Sequence, residues 1–178
     1  MLLGLYVDEI LMAVSTPDIM KRVTQLLLNR YDIKSGPAEK LLGMNITDNS
    51  RFFYCSQPRM VDKRLVRFNM ELCKSVATPM DNNISYNIVD DQLHEDVRGY
   101  REAIGRLLWM ANMTRPDISY AVSIAARHRE EPRNCHWKLV KRIIRYLKGR
   151  RDLGIVHCKE DTPLSLKNLD VVIWSDAD

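Results

Sequence analysis

The chain has 178 residues, enough for one full domain or two small ones. A hydrophobic content of 46% with 28% charged residues is that of a globular protein and argues against a disordered one. The net charge of +4 is modest but unevenly spread: residues 127–151 hold ten Lys/Arg and two acids (+8), leaving 17 basic and 21 acidic residues elsewhere (−4).

A basic segment inside a mildly acidic protein suggests a polyanionic partner at one place. The four cysteines, Cys55, Cys73, Cys135 and Cys158, are scattered, with no CxxC and no His at zinc spacing. They read as reduced thiols of an intracellular protein. The apolar opening lacks a basic leader, and Asp8-Glu9 interrupts it, so it is not read as a signal peptide. No apolar run approaches the roughly 20 residues of a membrane span.

In chain order, residues 2–14 (LLGLYVDEILMAV) are two short apolar runs about an acidic pair, the pattern of a tight β-hairpin with Asp8 and Glu9 at its tip. Ser15-Thr16-Pro17-Asp18 starts a helix with hydroxyl caps and Pro at the first helical position. Ile19, Val23, Leu26 and Leu27 give that helix an apolar stripe expected to be buried, and it ends near Asn29. Residues 41–46 and 52–56 predict two strands joined by the turn Asp48-Asn49-Ser50. A helix follows over 58–70, with Met60, Leu65 and Phe68 among its inner residues, and 77–91 predicts a linker.

The second half predicts helices at 100–113, from Pro116 to about 128, and at 134–148, the last stopped by Gly149. Two strands close the chain, LGIVHCK and DVVIWSDAD. On the 134–148 helix Trp137, Val140, Ile144 and Leu147 share one side, while Lys138, Lys141, Arg142, Arg145 and Lys148 cluster on another. A solvated helix face usually mixes signs, yet no acid stands between Glu131 and Asp152. Like charges at i, i+4 cost helix stability, so these five residues are candidates for nucleic-acid phosphate contact. His136 and Trp137 at the helix start read as packing and a polar cap; His94 lies in the linker, and His128 and His157 have no partner at ligand spacing.

Adjacent carboxylates at a hairpin tip can bind Mg²⁺, which takes one or two carboxylates plus water and phosphate oxygens. Alone the pair is a weak signal. Its company is stronger. LYVDEIL is similar to the YVDD motif of copia-type retrotransposon reverse transcriptases, and in the same order LLGMNI, SQPRMVDKRLVRFNM, TPM, YREAIGRLLWMANMTRPDISYAVS, HWKLVKRIIRYLKG and the final WSDAD resemble further segments of that family. TRPDI and the HWKLVKRIIRYLKG run at this separation are highly specific.

That resemblance implies an α+β fold. It would hold a truncated polymerase palm (1–56), a thumb-like helix (57–76), a linker (77–99), a helical thumb and connection (100–151) and the first strand of an RNase H-like sheet (152–178). It implies a role in RNA-directed DNA polymerisation, with Asp8 and Glu9 as catalytic carboxylates and Mg²⁺ ligands, Tyr6 near the primer end, and Asp176 as an RNase H metal ligand. The partners implied are an RNA/DNA template–primer duplex and the remaining polyprotein segments, upstream palm and fingers and downstream RNase H, with no membrane.

In the family another catalytic aspartate precedes the hairpin, and this sequence begins five residues before Tyr6. Glu9 also departs from the motif: one methylene moves a carboxylate by about 1.5 Å, against a tolerance of about ±0.2 Å in metal sites. The expectation is therefore a polymerase region inactive by itself. The alternatives are activity when an upstream segment completes the palm, or a retained nucleic-acid-binding module. The hairpin, without its usual neighbours, should fold back onto the helix at 17–29 or stay poorly packed.

Overall fold

The computed structural model describes residues 1–81, 86 and 91–159. Strands β1 (Leu2–Tyr6) and β2 (Glu9–Ala13) pair antiparallel, with Tyr6 opposite Glu9. The expected hairpin is present, and its two acids separate: Asp8 lies in the two-residue turn and Glu9 opens the return strand. Val7 takes the first turn position at φ 52°, a left-handed conformation that hairpin turns usually give to glycine.

Helix α1 (Pro17–Arg30) follows with Pro17 in its first turn and Asp18 near its positive end. Thr16 occupies the N-cap but its hydroxyl makes no capping bond. The expected burial of the α1 stripe does not occur either. No residue of α1 is buried, and Leu26 is 61% exposed. Helical periodicity identifies the face that could be covered; it does not supply a partner, and the core forms elsewhere. The hairpin is similarly uncovered, with Leu2, Leu5 and Val7 all exposed.

The predicted strand at 41–46 divides. Leu42 and Gly43 both have positive φ (52° and 76°), a two-residue turn between β3 (Lys40–Leu41) and β4 (Met44–Asp48). Strand β5 (Phe52–Ser56) pairs with β4 across the predicted turn, where Asn49 Oδ1 accepts from the N–H groups of Arg51 and Phe52, both at 2.8 Å. Strand β6 (Gly154–Cys158), the predicted LGIVHCK strand, joins β5 antiparallel, giving one sheet of order β3-β4-β5-β6. The strand placed by sequence at the head of the last unit thus completes a sheet begun in the first.

Helices α2 (Pro58–Arg67), α3 (Val97–Met113), α4 (Ser119–Ala126) and α5 (Asn134–Gly149) enclose the core. Val61 and Leu65 of α2 pack there with Ile104 and Leu107 of α3 and Ile143 and Leu147 of α5, so α2 and the later helices share one interior. Asp96 caps α3 by accepting from the Gly99 N–H at 2.7 Å. The helix expected from Pro116 opens as a 3-10 turn (Pro116–Ile118) before α4. Asp117 there turns its side chain back toward Arg115. Among the described residues no helix is long and apolar enough to cross a membrane. The architecture is α+β with small antiparallel sheets.

Candidate functional site

The hairpin tip opens on a cleft of about 870 Å³ that Asp8 and Glu9 line together with Thr24 of α1, Asp32 and Lys34 of the following loop and Lys40 of β3. The Asp8 side chain stands in solvent on the turn, and Tyr6 is exposed on β1. Glu9 is half-buried, and its Oε2 accepts from the Leu42 backbone N–H at 2.6 Å. That bond ties the hairpin to the Leu42–Gly43 turn and engages one oxygen of the carboxylate that the sequence offers as a metal ligand.

Asp32 shares the cleft, yet among the described residues no three of His, Cys, Asp and Glu come together as a metal-binding group. One free carboxylate and one committed to an amide do not make a cage for Mg²⁺. Asp176 lies outside the described residues, as does the strand predicted at the end of the chain.

On α5 the five basic residues divide by what they touch. Lys138 and Lys141 are exposed. The other three hold the incoming segment 71–81. Lys148 Nζ donates to the carbonyls of Glu71 (2.6 Å) and Cys73 (2.7 Å), and Arg145 Nε donates to the carbonyl of Lys74 (2.7 Å). Arg142 bonds the Thr78 hydroxyl at 3.1 Å and pairs with Asp81 at 3.3 Å. Backbone carbonyls and one carboxylate thus relieve much of the like charge along the helix. Those acceptors belong to no residue type, so no sequence pattern announces them.

The two most specific motifs meet in the interior. Arg115, 1% exposed, makes a bidentate bond to Asp117 and donates through Nη1 to the carbonyl of Arg150 at 2.8 Å. The Tyr146 hydroxyl donates to Asp117 Oδ2 at 2.7 Å. Burial pushes the Asp117 carboxyl up, but the bonds from Arg115 and Tyr146 and the Arg115 charge outweigh it and hold the group below its ordinary value. Burial and the bond to Asp117 raise the Tyr146 phenol. Beside them the buried Thr114 hydroxyl donates to Gln57 Oε1 at 2.8 Å. Parts of SQP, TRPDI and RYLKG therefore interlock as structure, and the spacing Arg-x-Asp was the signal for it.

At the start of α5, His136 acts as the expected cap: its Nδ1 accepts from the Arg133 N–H at 2.9 Å. Its other nitrogen, which then carries the proton, meets the Tyr86 carbonyl at 2.8 Å. His128 stacks on it with centroids 3.7 Å apart, a pairing across eight residues that sequence spacing did not reveal. His94, which the sequence places in the linker, stacks on Trp137 at 5.0 Å.

No family model matches this chain, and no solved structure does. Curated proteins do. The chain is similar to the retrovirus-related Pol polyprotein from transposon TNT 1-94 of Nicotiana tabacum, 34% identical over 157 residues, covering 83% of this chain and 12% of the polyprotein. It is 33% identical over 153 residues to a Saccharomyces cerevisiae protein assigned to transposon Ty5-1, covering 85% of this chain and 50% of that protein. The Pol polyprotein from transposon RE2 of Arabidopsis thaliana is 33% identical over 174 residues, 97% of this chain and 12% of that polyprotein. The chain thus spans from an eighth to half the length of these relatives. By these similarities, together with the motifs it carries in order, the chain belongs to the Pol polyprotein family of copia-type retrotransposons.

Proposed function

We propose that the chain represents part of the RNA-directed DNA polymerase region of such a polyprotein and does not polymerise by itself. The observation carrying this reading is the Tyr6–Glu9 hairpin, which sets Asp8 on a two-residue turn at the mouth of a cleft. The inactivity follows from the donors present: Asp8 stands in solvent, Glu9 is tied to the Leu42 amide, and Asp32, although it lines the same cleft, does not join them in a metal-binding group among the described residues. Among the described residues, those at the hairpin tip do not fit a metal ion. Primer extension by the purified chain on a primed RNA template, in Mg²⁺ and in Mn²⁺, tests it. The expected result is no incorporation; template-dependent incorporation overturns the reading.

A second reading, retention of duplex by a non-catalytic module, is favoured by the exposure of Lys138 and Lys141 on α5. These two, rather than Arg142, Arg145 and Lys148, are the side chains free to meet phosphate. Replacing both with Gln should lower the slope of log K against log salt by about 2 for duplex DNA. An unchanged slope rejects the surface.

A further inference from the structure

Away from the hairpin and α5, a cluster of charge at the α2–α3 seam is unbalanced. Arg64 sits on the inner side of α2 between Val61 and Leu65 and is 3% exposed. A guanidinium carries five N–H donors. Among the described residues the one hydrogen bond of Arg64 runs from Nε to the Met60 carbonyl, long at 3.4 Å. Its two terminal NH₂ groups have no acceptor there and, unlike Gln57 Nε2 and Arg142 Nε, are not sealed from solvent, so they can still be met by a ligand.

The carboxylate whose charge acts on Arg64 is already claimed. Glu102 of α3 pairs with Arg67 Nη2 at 3.0 Å and with Arg106 Nε at 3.0 Å. Three guanidiniums, Arg64, Arg67 and Arg106, thus share one carboxylate, with an excess of two positive charges. Burial and then Arg106 lower the Arg64 pKa, with Glu102 opposing and Arg67 adding, the direction expected of a cation short of counter-charge. Arg67 and Arg106 have side chains 53% and 46% exposed, so the outer face of the cluster is open to a ligand.

We infer that the Arg64–Arg67–Arg106 cluster on α2 and α3 is a binding site for a phosphate group. Guanidinium forks match the oxygens of phosphate in geometry and charge. A phosphate would supply the missing negative charge and acceptors for the terminal nitrogens of Arg64. The inference does not depend on the polymerase reading, since it uses neither the hairpin nor the α5 lysines. The phosphate could be free or part of a nucleic-acid backbone, and both sources present the same chemistry.

The test follows the arginine Nε–Hε resonances of the full chain by NMR while inorganic phosphate, and separately a short thymidine oligonucleotide without terminal phosphate, is added. The inference expects saturable shifts of Arg64, Arg67 and Arg106 with at least one probe. Response to phosphate alone assigns a free phosphate group, and response to the oligonucleotide assigns a phosphodiester. Arg67→Gln with Arg106→Gln should weaken the binding at least about tenfold, while Glu102→Gln, which removes the competing carboxylate, should tighten it. Lys138→Gln with Lys141→Gln should leave it unchanged, which separates this site from the α5 surface. No saturable shift with either probe overturns the inference, as does affinity indifferent to both the arginine pair and Glu102.

Discussion

Arg115 and Asp117 face each other across Pro116, with Nε to Oδ1 at 2.9 Å and Nη2 to Oδ2 at 2.8 Å. The guanidinium is buried while the carboxylate is about one-third exposed, and Tyr146 from α5 closes on the same oxygen. Asp117→Asn keeps the shape and leaves the buried arginine without its counter-ion. Loss of one partner of a buried pair costs about 3–5 kcal/mol; the partial exposure of Asp117 reduces the expectation to about 2–3 kcal/mol. Because the Asp117 pKa is depressed in the folded chain, its contribution is complete above the unfolded value of 3.8 and is lost as pH falls through the folded value. Urea unfolding should show the wild type losing stability below about pH 4. The variant should be weaker at neutral pH, with a flatter dependence in that acid range.

The basic face of α5 should behave as two populations. Arg145→Ala removes the donor to the Lys74 carbonyl, and Lys148→Met removes the donor to those of Glu71 and Cys73. Each should destabilise by about 1–2 kcal/mol and speed proteolysis within residues 71–81. Lys141→Ala, on the exposed part of the face, should stay within about 0.5 kcal/mol of wild type. Equal effects from all three would contradict this division.

The glycines at 105 and 154 look alike in sequence and should respond oppositely. Gly105 is exposed within α3, and a Cβ there meets nothing within 4 Å. Gly105→Ala should therefore stabilise by about 0.5–1 kcal/mol through helix propensity. At Gly154 a Cβ would overlap the Cys55 carbonyl oxygen and crowd Ser56 Cβ at 2.9 Å. Gly154 pairs with Ser56 at the end of the β5–β6 ladder. Gly154→Ala should lower the thermal midpoint and expose β6 amides to exchange.

These contrasts mark what the sequence could and could not disclose. Helix α5 was legible almost to the residue because an apolar stripe, a basic face and Gly149 agree on it. The hairpins at 2–13 and 44–56 were legible from short apolar runs about polar turns. Leu42–Gly43 was not, because the leucine continues the apolar run while its backbone turns. The α1 stripe had the right period, yet no residue of α1 is buried. The acceptors of Arg145 and Lys148 are carbonyls, common to every residue, Glu9 and Arg64 meet groups on elements distant in sequence (the Leu42 amide and the charges of α3), and His128 meets His136 only because the chain between them turns back. Roles set by residue type were visible; roles set by tertiary approach were not.

The stacked histidines predict a second pH dependence. Burial lowers the His136 pKa, aided by the His128 charge, and burial followed by Arg127 lowers that of His128. A depressed histidine favours its neutral form in the folded state. Its stabilisation is then complete above the unfolded value of 6.5 and declines as pH falls through the folded value. Protonation at His136 Nδ1 would also break the bond from the Arg133 amide. Stability should fall from about pH 7 to pH 5, with the unfolded chain binding more protons than the folded one in that range. His128→Phe keeps a ring on the stack and should reduce that difference. An unchanged slope would show that His128 does not contribute.

At the hairpin, two substitutions separate backbone strain from the hold on Leu42. Val7 is β-branched at φ 52°, a conformation costing about 1–2 kcal/mol, whereas glycine adopts it freely. Val7→Gly should slow amide exchange in β1 and β2, since relief of strain exceeds the entropy glycine adds to the unfolded chain. Glu9→Asp is the opposite case. It restores the residue of the YVDD motif, but the shorter side chain draws the carboxylate back by about 1.5 Å from the Leu42 N–H, now at 2.6 Å. The Leu42 amide should then exchange about tenfold faster, because a charge-assisted bond worth about 1.5 kcal/mol is lost. Glu9→Gln keeps an acceptor at full reach and should fall between the two. If Glu9→Asp leaves the Leu42 amide as protected as in wild type, the carboxylate is free of that bond and available to a ligand.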